Sequence, residues 1–206
     1  MNYQLIVVGP LETNCYLFFC QETRECAIID PGAEAERIFP IITQLSLKPI
    51  IVLNTHGHVD HTGANLEMKD RYGVPIALHQ NDLSLLEENL QLEFELMLGA
   101  KPSPRPDQIL TDGDEIKVGQ TKLQVIHTPG HSLGSVCFYT PGLLFSGDTL
   151  FYGGVGRTDL PGGSWKDLMN SIKNRVLTYP DETIVLPGHG PRTTIAGEKE
   201  SNPFLE

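Results

Sequence analysis
The chain reads as an α/β fold, and three observations predict it. Short apolar runs and amphipathic helical stretches alternate in two rounds along its 206 residues. One run, Ile50-Ile51-Val52-Leu53-Asn54, is continuous and β-branched, the pattern of a strand buried within a parallel sheet. Four such runs end in a turn carrying a histidine or an aspartate, where open α/β sheets place their ligands.

Taken in order, Leu5–Val8, Tyr16–Phe19 and Cys26–Ile29 are strand-like and suit an opening meander. Ala35–Leu45 sets Ile38, Ile41, Ile42 and Leu45 on one face, so it reads as a helix. After the parallel strand, Gly63–Tyr72 reads as helix and Pro75–Leu78 as strand. Asn81–Leu98 is leucine-rich and helical in pattern, whereas Gly99-Ala100-Lys101-Pro102-Ser103-Pro104-Arg105-Pro106 is barred from helix by its prolines. Residues 80–106 therefore read as an insertion: a lid over the site, a cover for the body of the fold, or a dimer face. A second round begins near Glu115, with strands at Lys122–Ile126, Leu143–Ser146 and Thr183–Leu186. Ser164 occupies the cap position of a helix, with Asp167 reaching back to it. Trp165, Leu168, Met169, Ile172 and Val176 then form a stripe assigned to the core. No repeat, low-complexity tract or long linker interrupts the chain, so residues 1–206 are expected to form a single domain.

The chemistry concentrates just after the parallel strand, in Thr55-His56-Gly57-His58-Val59-Asp60-His61. An i, i+2 histidine pair in a loop can converge on one ion. Asp60 and His61, at the mouth of the next helix, point away and could hold a second. Imidazole and carboxylate suit Zn, Fe or Mn rather than Ca or Mg. Three other strand ends share one grammar: His127-Thr128-Pro129-Gly130-His131-Ser132, Gly147-Asp148-Thr149, and Pro187-Gly188-His189-Gly190. In each, glycine lets the backbone turn tightly and approach an ion.

Composition narrows the function classes. A net charge of −11 argues against broad nucleic-acid binding, which needs basic patches. No apolar run is long enough for a membrane helix. Leu5-Ile6-Val7-Val8 is too short for a signal peptide, so a cytoplasmic location is expected. Cys15, Cys20, Cys26 and Cys137 lack metal-type spacing and read as reduced core thiols, although pairing stays open.

His-x-His-x-Asp-His at 56–61, Pro-Gly-His-Ser at 129–132, Gly-Asp-Thr at 147–149 and Pro-Gly-His-Gly at 187–190 together resemble the metallo-β-lactamase superfamily. The resemblance implies an αββα sandwich, two mixed β-sheets flanked by helices, with a binuclear centre at one edge. It implies that His56, His58 and His131 hold one divalent ion, that Asp60, His61 and His189 hold the other, and that Asp148 bridges both. Asp30, after Cys26–Ile29, resembles the superfamily's early aspartate, which orients ligands rather than binding metal. His79 and His127 match no ligand position and read as structural or surface residues.

Within the superfamily, Asp148 stands where one class of β-lactamases has cysteine, which disfavours an antibiotic-hydrolysing role. The pattern instead resembles glyoxalase II, or hydroxyacylglutathione hydrolase. Gly154-Val155-Gly156-Arg157 matches a motif of that family, implying that Arg157 meets the glutathione carboxylate. Two features depart from it. The residues after His189 leave no place for that family's helical carboxyl-terminal domain, and Asp159 stands near its aromatic glutathione contact. The chain therefore resembles the small, single-domain bacterial glyoxalase II-like hydrolases.

That resemblance implies a thioesterase acting on S-lactoylglutathione or a related small-molecule thioester. A hydroxide shared by two ions about 3.5–4 Å apart would attack the carbonyl. Asp60 and Asp148 would serve as ligands that position it, Asp60 also as proton acceptor. The alternative from another enzyme class is persulfide dioxygenase, which shares the first motif and Gly156-Arg157-Thr158-Asp159 and binds one iron through positions matching His56, His131 and Asp148. Pro-Gly-His-Gly, by completing a second site, favours the hydrolase. Lactone and phosphodiester hydrolysis are lesser alternatives. No nucleic-acid or membrane partner is expected, and the oligomeric state is left open.

Overall fold
The computed structural model describes residues 2–86 and 101–205. Strand β1 (Asn2–Val8) pairs antiparallel with β2 (Thr13–Phe19), and β2 with β3 (Glu25–Ile29), as a meander requires. Helix α1 (Ala35–Gln44) carries the chain across to β4 (Lys48–Leu53), which lies parallel to β3. The short α2 (Val59–Thr62) and then α3 (Asn65–Tyr72) lead to β5 (Ile76–His79), parallel to β4. With β6 (Gln108–Leu110) the first sheet runs β1-β2-β3-β4-β5-β6.

The second sheet begins with β7 (Glu115–Val118), β8 (Thr121–His127), β9 (Val136–Thr140) and β10 (Leu143–Gly147), each antiparallel to the one before. A small hairpin, β11 (Leu150–Phe151) and β12 (Gly154–Val155), and helix α4 (Trp165–Ser171) intervene. Strand β13 (Ile184–Pro187) then returns parallel to β10, followed by β14 (Thr193–Thr194) and α5 (Ile195–Ser201). Among the described residues this sheet runs β14-β13-β10-β9-β8-β7.

Side-chain alternation sorts the apolar residues into three layers. Leu17, Cys26, Ile28 and Val52 face α1 and α3, packing on Ile38, Ile42 and Met68. Their neighbours Phe18, Ala27, Ile29 and Leu53 face the second sheet, where Val125, Phe138 and Phe145 meet them. The far face of that sheet packs through Ile126, Leu144 and Val185 on Leu168, Ile172 and Ile195. The result is the four-layer α/β sandwich expected. Truncating Phe18, Phe138 or Phe145 to alanine would cost about 3–5 kcal/mol. Among the described residues no helix is long and apolar enough to cross a membrane, and all four cysteines are buried and free.

Several expectations need correction. Residues 80–86 form two tight 3₁₀ turns, Gln80–Asp82 and Ser84–Leu86, rather than the start of an α-helix. The remainder of that helical reading, 87–98, lies outside the described residues. At α4, Ser164 Oγ accepts from the Asp167 N–H at 3.3 Å, but Asp167 does not reach back. The Ser164 N–H instead donates to the Gly130 carbonyl at 2.8 Å, anchoring the helix to the His131 loop. Leu168, Ile172 and Val176 are buried as expected, whereas Trp165, at the first helical position, is 48% exposed and packs edgewise with Phe204, ring centroids 6.2 Å apart. The segment that carries the last two of that stripe, Ile172–Val176, winds as a π-helix.

Candidate metal centre
Each candidate ligand sits where a strand stops. His56 and His58 leave β4, Asp60 and His61 open α2, Asp148 follows β10, His189 follows β13, and His131 lies between β8 and β9. Because β4, β10 and β13 deliver these turns to the same edge, the seven side chains converge. Three groups form, His56/His58/His131, His56/His61/Asp148 and Asp60/His61/His189, with the ligand atoms of each within 4.8 Å of one another. The two sheets are stitched beside them. The Val136 N–H donates to the Thr55 carbonyl at 2.8 Å, and the Asn14 N–H to the Gly188 carbonyl at 2.7 Å.

The distances suit cations. His131 Nε2 lies 2.9 Å from His58 Nδ1 and 3.2 Å from His56 Nε2. Ligands at about 2.0–2.1 Å around a tetrahedral ion would stand roughly 3.3 Å apart. In the second group His189 Nε2 lies 3.3 Å from both His61 Nε2 and Asp60 Oδ2. Asp148 lies between the groups, Oδ1 at 3.4 Å from His61 Nε2 and Oδ2 at 3.6 Å from both His131 and His189. Its Oδ1 is buried and accepts no hydrogen bond from the described residues, as an oxygen reserved for a cation would be. Gly188 makes this approach feasible, since a Cβ there would fall 2.2 Å from Asp148 Oδ1.

Hydrogen bonds on the far ring nitrogens select tautomers. Nδ1 of His131 meets the Arg157 carbonyl at 2.8 Å, that of His189 the Leu11 carbonyl at 2.9 Å, and that of His61 Asp30 Oδ2 at 3.0 Å. His56 Nδ1 meets Thr55 Oγ1 at 3.1 Å, and that hydroxyl donates to Asp30 Oδ2 at 2.7 Å. A proton on each Nδ1 leaves Nε2 as the atom that faces the centre. The observed donors thus fit a pair of divalent ions, and Asp30 reaches two histidines, one directly and one through Thr55.

Charge is distributed unevenly. Burial, followed by the neighbouring imidazoles, drives His56 well below the usual histidine range. Burial and then His131 lower His58 to about 3. For His61, burial acts downward, yet Asp60, Asp148 and Asp30 together raise it to about 10. His189 is likewise raised, with Asp60 and Asp148 outweighing burial. Burial would lift Asp60, but His61 and His189 hold it below the usual carboxylate range.

Other residues at this edge carry no motif that sequence reasoning could have used. Asn14 Nδ2 donates to the Pro187 and Gly190 carbonyls at 2.8 and 2.9 Å, and Tyr16 OH to Pro187 at 2.8 Å, clasping the His189 turn. Asn54 Nδ2 donates to the His61 carbonyl at 2.9 Å. Asp82, fully buried, joins two of the ligand loops. Their only sequence signal is a polar residue inside or just beyond an apolar run. His79 and His127 stay outside the three groups and stack on each other, ring centroids 4.2 Å apart. Arg157 reaches the centre through its carbonyl, while its exposed guanidinium forms a two-pronged ion pair with Asp159 at 2.7 Å.

Comparison with known proteins agrees with this architecture. The family model described as the metallo-beta-lactamase superfamily matches residues 8–189. The chain is 39% identical to the probable metallo-hydrolase YqgX of Bacillus subtilis, covering 100% of this chain and 98% of that one. It is 38% identical to the hydroxyacylglutathione hydrolase GloC of Haemophilus influenzae, with the same coverage. Among solved structures, BLEG-1, a B3 metallo-beta-lactamase, shares 39% identity with a TM-score of 0.91, covering 99% of both chains. TTHA1623 in a di-iron-bound form shares 40% with a TM-score of 0.89, covering 98% of this chain and 100% of that one. ETHE1 from Myxococcus xanthus shares 30% with a TM-score of 0.84, covering 98% and 84%. Motif order, sandwich topology and family match agree: the chain belongs to the metallo-beta-lactamase superfamily.

Proposed function
We propose that this protein is a metal-dependent hydrolase with a binuclear centre, acting as a thioesterase of the glyoxalase II type. One observation carries the reading: two ligand groups lie side by side with the Asp148 carboxylate between them. In this reading His56, His58 and His131 hold one divalent ion and Asp60, His61 and His189 the other, with Asp148 shared. Zinc is the expected metal, with iron or manganese equally compatible with imidazole and carboxylate. When bound, such ions supply Lewis acidity and bring the pKa of a coordinated water to about 7.

The chain's own groups do the rest. In this reading Asp60 and Asp148 orient the nucleophile, with Asp60, whose Oδ2 accepts from the Thr13 hydroxyl at 3.4 Å, as the proposed proton acceptor. Arg157, at the rim, offers its guanidinium to an anionic substrate in exchange for Asp159. The likeness to GloC supports a glutathione thioester, and the protein's place is expected to be the cytoplasm. Thiol release from S-lactoylglutathione by metal-quantified protein tests this. Release that scales with two ions per chain supports it; no release with two ions bound keeps the hydrolase but moves the substrate to another ester or thioester. The BLEG-1 likeness makes a β-lactam the proper comparison substrate.

A second reading, a mono-iron persulfide dioxygenase using His56, His131 and Asp148, is favoured by the likeness to ETHE1. One iron per chain with oxygen uptake on glutathione persulfide would establish it in place of the hydrolase.

A further inference from the structure
Asp82 lies in the 3₁₀ turn after β5, outside every motif that marks the metal ligands. Its carboxylate is fully buried. Oδ2 accepts from the Gly57 N–H at 2.9 Å and from Ser132 Oγ at 2.7 Å, and Oδ1 accepts from the Gly134 N–H at 2.5 Å. Gly57 is the residue between His56 and His58, and Ser132 follows His131. One side chain therefore grips both loops that supply the first ligand group, one loop from each sheet. The fit is close: a Cβ on Gly134 would lie 2.7 Å from Asp82 Oδ1.

We propose that Asp82 is the positioning residue of the His56/His58/His131 group, a buried carboxylate clamp that sets the distance between the two loops for a cation. The proposal rests on the metal-binding reading above. Three neutral donors converge on its two oxygens, and hydrogen bonds to an ionised acceptor are shorter and stronger than neutral ones. An asparagine could not replace it without turning an N–H₂ toward one of those donors. These three hydrogen bonds end on Gly57, Ser132 and Gly134, beside the ligands of the first group, so the effect should be one-sided. Partners that orient metal ligands typically alter affinity by about 10–100-fold when replaced.

The test titrates metal-free protein with Zn²⁺ against a chromophoric chelator in two backgrounds. His189→Ala leaves the first group intact, and His131→Ala leaves the second. Adding Asp82→Asn should weaken Zn²⁺ by about 10–100-fold in the His189→Ala background and by less than about threefold in the other. Equal losses in both, or no loss in either, would overturn the proposal. If Asp82→Asn does not fold, Ser132→Ala removes one of the three bonds and should show the same one-sided loss, a few-fold in size; a symmetric or absent loss there overturns it equally. A wild-type chain that takes up a single Zn²⁺ would break the two-ion reading but leave the His189→Ala arm decisive, because it needs only the first group: no loss on Asp82→Asn there overturns the proposal.

Discussion
The His56/His58/His131 group presents three imidazoles, whereas the Asp60/His61/His189 group sets a carboxylate between two imidazoles and has Asp30 behind it. Burial holds His56 and His58 neutral in the first, while carboxylates draw protons onto His61 and His189 in the second. Without metal, then, the first group already shows lone pairs to a cation, and the second is a stored ion-pair network. Desolvation dominates where the neighbours are other imidazoles, and Coulomb interaction dominates where they are anions. The two groups are expected to take up the same ion by different routes, one filling a prepared site and the other exchanging protons for metal.

The largest expected effect comes from removing what the groups share. Asp148→Ala should lower metal content at both and cut hydrolysis by about a thousandfold or more, the equivalent of several kcal/mol of lost charge stabilisation. Near-normal turnover with two ions bound would dissolve the proposed bridge. Next come the one-sided variants. His131→Ala and His189→Ala should each reduce metal content from two ions per chain to one, read by elemental analysis. If either lost both ions, the groups would not be separable.

A smaller effect separates the routes directly. At pH 7 a His61 near 10 carries a proton that must leave before a metal binds, whereas His56 and His58 have none to give. Zn²⁺ uptake by His131→Ala protein should therefore release more protons than uptake by His189→Ala protein, measured calorimetrically in buffers of differing ionisation enthalpy. Its affinity should also fall more steeply as pH drops from 8 to 6, by about tenfold per unit for each proton displaced. Equal proton release would contradict the electrostatic contrast. The smallest effect lies at the rim beside His131. Arg157→Ala should raise KM for an anionic thioester about two- to fivefold with kcat nearly unchanged, since exposed ion pairs are worth about 0.2–1 kcal/mol. Asp159→Ala, which frees the guanidinium, should lower it, and an unchanged KM in both variants would remove Arg157 from substrate binding.

Much of this was legible in the chain. Continuous apolar strands, the meander and α1 follow from side-chain periodicity, which is local. The seven ligand-type residues stand out because each lies where a strand ends in a glycine turn or a helix begins. The leucine-rich stretch misled at 81–86 because its helical spacing ignores Asp82. That carboxylate is buried by partners on distant loops, so a tight turn wins over a regular helix. Trp165 misled for the converse reason: helical spacing gives a face, but at a helix's first turn the face can overhang the sheet.

By itself the sequence determined the order of strands and helices, the set of candidate ligands and the family they indicate, because these depend on residue type and short spacing. Only the tertiary structure decided which ligands face one another. His58 meets His131 across 73 residues and His61 meets His189 across 128, contacts that leave no local signature. It also decided the tautomers, through backbone carbonyls at Arg157 and Leu11, and the pairing of Arg157 with Asp159 rather than with open solvent. The unequal charge of the two groups arises there as well, since desolvation and Coulomb energy depend on distances that exist only once the two sheets have closed on each other.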